Sequence, residues 1–68
     1  MFIMALSIEV EREADGRWIA EVVDLPGVMV YGGDRASAVR NAKKLAIRVI
    51  EERKQRGEPA PEPVFIEE

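Results

Sequence analysis

The sequence predicts an α+β domain of order β-β-β-α-β. An antiparallel three-stranded meander carries one long helix on one sheet face, and a short fourth strand follows. Three observations predict it. Apolar residues alternate with polar ones near the N-terminus, two glycine-bearing turns punctuate the first half, and a helical apolar repeat fills the region after Gly32-Gly33. The expected boundaries within one domain, 1–68, are strands at about 3–13, 17–24 and 28–32, a helix at about 35–56 and a strand at about 64–66.

The first strand rests on period two. Met4, Leu6, Ile8 and Val10 are apolar, while Ser7, Glu9 and Glu11 are polar. Trp18 to Val23 forms the second β-rich run, and Asp15-Gly16 marks the hairpin between them. A two-residue loop would set Val10 opposite Glu21. A three-residue loop, Ala14-Asp15-Gly16 with Gly16 left-handed, pairs Val10 with Ala20 and Ile8 with Val22. The second register is preferred because it gathers Leu6, Ile8, Val10, Trp18, Ala20 and Val22 on one face. Glu9, Glu11, Ile19, Glu21 and Val23 then share the other.

Leu25-Pro26-Gly27 ends the second strand. Pro26 suits position i+1 and Gly27 a positive φ at i+2, so a type II turn is expected before the strand Val28-Met29-Val30-Tyr31. Asp34 is the expected helix cap, although Ser37 stands where a capping box needs Glu or Gln. The helix shows Ala38, Ala42, Leu45 and Val49 at helical spacing, flanked by Val39, Ala46 and Ile50. Arg53, Lys54 and Arg56 complement its C-terminal dipole, and Gly57 fits the C′ position. The proline-rich stretch Glu58 to Pro63 is a stiff connector, expected to keep the fourth strand to Val64-Phe65-Ile66.

With 68 residues, the chain buries only roughly 60% of its unfolded surface, so its core is thin. It has no cysteine and no histidine, which removes disulfides and the usual zinc sites. A homo-oligomer, dimer or higher, is expected to supply the missing burial. The apolar N-terminus lacks a basic leader and a cleavage site, and Glu9 and Glu11 follow at once, so it reads as a strand rather than a signal peptide. No apolar run nears the ~20 residues of a membrane span, and the expected location is cytoplasmic.

The net charge of −3 hides an asymmetry. Asp34 to Arg56 carries eight Lys or Arg against three carboxylates, a net of +5, whereas the rest carries two arginines against ten carboxylates, a net of −8. The plain account is solvated faces with internal charge complementarity; the functional one is a surface for a charged partner. Glu9 opposite Glu21 is mildly unfavourable. A divalent cation, a basic protein, Arg12 or solvent alone would each relieve it. The helix bases Arg40, Lys43, Lys44 and Arg48 could meet phosphate, yet the chain is acidic overall and has only Tyr31 and Trp18 as polar aromatics. Trp18 reads as core or as an interface anchor. With no histidine or cysteine, and Ser7 on a strand without a base, catalysis is not expected, nor a cofactor or metal.

Taken in order, the motifs resemble HicB-like antitoxin domains. The resemblance rests on Glu13-Ala14-Asp15-Gly16-Arg17-Trp18-Ile19-Ala20, Asp24-Leu25-Pro26-Gly27-Val28, Gly32, Asn41-Ala42 and Gly57-Glu58-Pro59-Ala60-Pro61, and covers nearly the whole chain. It departs from the family at Gly32-Gly33-Asp34, where Asp34 replaces a threonine cap, and at Ala36-Ser37, where the family has two acids. The resemblance implies a pared-down ribonuclease-H-like unit with the fourth strand beside the first. It also implies a partner, a small basic HicA-type mRNA-cleaving toxin with a double-stranded-RNA-binding-like fold. The expected contact residues are Glu9, Glu11 and Glu21 for steering, and Ile19 and Val23 for apolar contact. Asp15, Gly16, Pro26 and Gly27 are expected to be structural turn residues. Many family members continue into a DNA-binding segment, which is not found after Phe65-Ile66, so direct DNA binding is not expected.

Overall fold

The computed structural model describes residues 2–67. Its elements run β1 (Ile3–Arg12), β2 (Trp18–Val22), β3 (Met29–Gly32), α1 (Arg35–Gln55) and β4 (Glu62–Glu67). They build one four-stranded mixed sheet of order β3-β2-β1-β4, with β4 parallel to β1 and the other pairs antiparallel. The α+β architecture expected from the sequence is the one observed.

The β1–β2 register follows the three-residue loop. Val10 pairs with Ala20, Ile8 with Val22 and Glu9 with Glu21. The Gly16 N–H donates to the Glu13 carbonyl at 3.0 Å, the Glu13 N–H donates to the Arg17 carbonyl at 2.7 Å, and Gly16 sits at φ +92°. This is a type I turn closed by a left-handed residue, where a side chain would be strained. The turn after β2 is also of the expected kind. Gly27 has φ +84°, and the Val28 N–H donates to the Leu25 carbonyl at 3.2 Å. A preceding turn, with the Leu25 N–H on the Val22 carbonyl at 3.1 Å, ends β2 at Val22 rather than Asp24.

On one sheet face Leu6, Ile8, Ala20 and Val22 are buried, with Val10 and Trp18 half-buried around them. Each aliphatic side chain fully buried there contributes roughly 1.5–3 kcal/mol. Leu25 and Val28, from the turn, close one end of this core. The helix seam differs from the expected stripe. Ala38, Ala42, Ala46 and Ile50, with Val39, are buried, whereas Leu45 and Val49 lie at the margin. The alanines let the helix axis approach the sheet, and the longer side chains fold down beside the seam.

Both helix ends are closed as expected. The Asp34 carboxylate accepts from the Ser37 N–H at 2.7 Å. At the other end the Gly57 N–H donates to the Lys54 carbonyl at 3.0 Å and the Glu58 N–H to the Arg53 carbonyl at 2.9 Å, a complete Schellman motif with Gly57 at φ +76°. Between β3 and the helix, Gly32 meets the first helical turn. A Cβ there would lie 2.8 Å from the Ala38 Cα and 2.9 Å from the Ser37 carbonyl carbon.

The fourth strand is a correction: it spans six residues rather than the three of 64–66, and Pro63 lies inside it. The reason is the direction of the ladder. The Glu62 N–H donates to the Phe2 carbonyl at 2.7 Å, so alternation turns the next backbone nitrogen, that of Pro63, toward the free edge. A proline costs no ladder bond there. Smaller corrections apply elsewhere: β1 ends at Arg12, β3 starts at Met29 and the helix ends at Gln55.

Candidate functional site

The helix covers one sheet face and leaves the other open. Strand alternation places Glu9 and Glu11 of β1, Ile19 and Glu21 of β2, and Met29 and Tyr31 of β3 on that open face. Glu21 is flanked in register by Glu9 on one side and Met29 on the other, and Ile19 by Glu11 and Tyr31.

These rows form a shallow hollow of about 380 Å³, lined by Glu9, Glu11, Glu13 and Glu21 with Val10, Ile19 and Met29. No lysine or arginine lines it. Arg12 pairs in register with Trp18 and shares its face, so it is turned away from the Glu9–Glu21 pair. Arg17 is engaged elsewhere: its Nε donates to the Asp15 Oδ2 at 2.7 Å, and its guanidinium lies 4.4 Å from the Tyr31 ring centroid. Among the described residues, no three acids converge closely enough to hold a metal ion. Among the described residues, none of these four carboxylates forms an ion pair with a lysine or arginine, which leaves them to be screened by solvent or by a cationic partner.

Four of the five expected contact residues, Glu9, Glu11, Ile19 and Glu21, come together in this hollow. Val23 does not join them. It lies on the same face one row along, beyond the end of β2, with its N–H on the Ser7 carbonyl at 3.1 Å and its side chain 43% exposed. Glu13 and Met29 belong to the hollow although sequence reasoning passed over them. The parity of β3 carries the signal for Met29, since Val28 and Val30 point inward. Glu13 arrives through the bend of the hairpin, which alternation does not describe.

The turn residues act on the scaffold. Asp15 accepts from the Arg17 N–H at 3.0 Å; that bond first, and the Arg17 side chain second, hold its carboxyl below the usual range. Asp24 has a role that its motif does not announce. Its Oδ2 accepts from the Ser7 N–H at 2.7 Å, occupying the place where β2 turns away from β1. Asn41 donates from Nδ2 to the Tyr31 carbonyl at 3.1 Å, which ties the helix to the outer edge of β3.

On the opposite side of the molecule the helix exposes Arg40, Lys44 and Arg48. Lys43 and Arg35 reach over β4 to Glu67, at 3.4 and 3.3 Å. Charge is therefore segregated, with the basic helix outward and the acidic hollow on the open sheet. No helix among the described residues is long and apolar enough to cross a membrane. No family model, curated protein or solved structure matches this chain.

Proposed function

We propose that this chain is a non-catalytic protein-binding domain that acts as a HicB-like antitoxin, docking a small basic mRNA-cleaving toxin of HicA type on its open sheet face. The observation that carries the reading is the hollow itself: four glutamates around the apolar floor of Ile19 and Met29, with no lining cation. Such a surface speeds the approach of a basic partner and gains affinity from the apolar centre once water leaves. The ordered motifs from Asp15-Gly16 to Gly57-Glu58 give the toxin assignment its support. In this reading the domain works in the cytoplasm, where its partner cleaves mRNA, and needs neither metal nor cofactor.

The test is direct. A small basic protein, sought first among the products encoded beside this chain, is purified and tested for RNA cleavage while this chain is titrated in. Inhibition at about one equivalent is expected. A Glu9→Lys, Glu21→Lys variant should lose inhibition while keeping its far-UV circular dichroism. Undiminished cleavage under a stoichiometric excess sinks the proposal.

A second reading, a stand-alone oligomeric domain without a toxin partner, is favoured by one observation. Ile3, Val64 and Ile66 are exposed large aliphatic residues on the open face outside the hollow. Unchanged RNA cleavage together with self-association would select it.

A further inference from the structure

β4 is the outermost strand on its side of the sheet. Its inner edge is fixed by the Glu62 N–H on the Phe2 carbonyl. Alternation then turns the backbone groups of Glu62, Val64 and Ile66 toward β1, and those of Pro63, Phe65 and Glu67 outward. Pro63 offers only a carbonyl there. Phe65 offers an N–H and a carbonyl, and Glu67 a further N–H. The outer edge is blunted at its start and open at its end.

The open stretch borders a groove of about 460 Å³, lined by Arg35, Ala36, Val39, Arg40 and Lys43 of α1 together with Glu67. Lys43 extends over the Phe65 ring, its Nζ 5.9 Å from the centroid. Three cations thus face one carboxylate. That carboxylate shows what the groove accepts: Glu67 is presented by a strand and held by Arg35 at 3.3 Å and Lys43 at 3.4 Å. Arg40 forms no ion pair among the described residues and donates to the Ser37 Oγ at 3.3 Å.

We infer that this edge takes an extended, acid-bearing peptide segment of a partner protein as a fifth strand, its backbone paired with Phe65 and Glu67 and its carboxylate in the groove beside Arg40 and Lys43.

Strand parity sets the sequence that fits. Residues opposite Phe65 and Glu67 send their side chains to the helix side, and the residue between them lies beside the exposed Ile66. An acid opposite Phe65 meets the groove cations. A second acid opposite Glu67 would face a like charge, so a small residue belongs there. The favoured segment therefore reads acid, apolar, small. A nucleic-acid strand fits less well, because the outward carbonyls of Pro63 and Phe65 repel phosphate and need donors. A second copy also fits less well. If the two Phe65 residues met, Pro63 of one copy would stand opposite Glu67 of the other without an N–H to give. The edge lies apart from the acidic hollow and selects the opposite charge, so the inference does not depend on the basic partner proposed above.

The test uses the full chain and a fluorescein-labelled seven-residue peptide that alternates valine with small polar residues around one central glutamate. Its anisotropy should report a dissociation constant on the order of 100 μM. Lysine in place of that glutamate should weaken binding by about tenfold, and Arg40→Glu in the protein by about fivefold. N-methylation of the peptide at the glutamate nitrogen should abolish it. Glu67→Pro removes an outward N–H at no cost to the ladder, as Pro63 does, and should weaken binding by about fivefold. Glu67→Ala, which keeps the N–H, should not weaken it. Arg48→Glu, outside the groove, should leave it unchanged, and far-UV circular dichroism should be the same throughout. Anisotropy that stays flat up to about 2 mM protein overturns the inference. So does binding indifferent to both N-methylation and Glu67→Pro, which would mean charge attraction alone. Displacement of the peptide by a uridine oligonucleotide would mean a phosphate site and overturns it too, as does a dimer of this chain that is lost on Glu67→Pro.

Discussion

Replacing Gly32 by alanine tests the packing of this domain at its tightest point. The added Cβ would lie 2.8 Å from the Ala38 Cα and 2.9 Å from the Ser37 carbonyl carbon. Both are backbone atoms of the first helical turn, so no rotamer change relieves the overlap, and the helix must move by roughly half an ångström or more. Ala38 is fully buried, and its N–H donates to the Asp34 carbonyl at 3.1 Å. Moving it strains both the alanine seam and the opening helical hydrogen bond. Overpacking against backbone costs about 3 kcal/mol, and a weakened hydrogen bond adds up to about 1 kcal/mol. A single small core without disulfides supplies only ~3–5 kcal/mol, so most of the stability goes. At roughly 4–8 °C per kcal/mol, Tm should fall by at least about 12 °C. Urea unfolding followed by Trp18 fluorescence and circular dichroism reads the change. Gly33→Ala is the control. It meets nothing within 4 Å and needs no positive φ, so it should stay within about 0.5 kcal/mol of the parent. A Gly32→Ala protein within about 1 kcal/mol of the parent would refute the close approach.

Three further outcomes follow from the same contacts. Glu21→Lys should stabilise the fold by about 0.2–1 kcal/mol by removing the like-charge register with Glu9, while abolishing binding of a basic partner; a parallel loss of both would place Glu21 in the scaffold instead. Asn41→Ala should cost about 1 kcal/mol and speed amide exchange along β3, because the Tyr31 carbonyl loses its donor; native-state hydrogen exchange checks this. Asp34 is held below the ordinary carboxyl range by the Ser37 N–H. Its contribution is therefore complete above the unfolded value near pH 3.8 and is lost as pH falls through the lower folded value. Asp34→Ala should lower Tm at pH 7, and the gap to the parent should close as the solution is acidified. A gap independent of pH would contradict the cap.

The acidic hollow was partly legible in the sequence. Period two in β1 and β2 sends Glu9, Glu11, Ile19 and Glu21 to one face once the hairpin register is chosen, and burial of the opposite face decides that register. Parity alone assigns Val23 to the same cluster. Parity gives the face but not the position along it, and the strand ends before Val23. Asn41 and Asp24 escaped for a different reason. A polar side chain that caps a strand edge or a strand exit has no periodic signature, since its partner is a backbone group far away in sequence.

What the sequence determined by itself is local: the alternation of β1, the left-handed Gly16, Gly27 and Gly57, the Asp34 cap and the long helix all follow from steric and hydrogen-bonding rules within a few residues. Only the tertiary structure decided the rest. The parallel pairing of β4 with β1 set which way the nitrogen of Pro63 points, and so allowed a six-residue strand through a proline. The same pairing brought Val64 and Ile66 beside Ala5 and Ser7, and split the open face into an acidic half and an apolar half. Strand neighbours are chosen by burial across the whole core, which no local window of sequence contains.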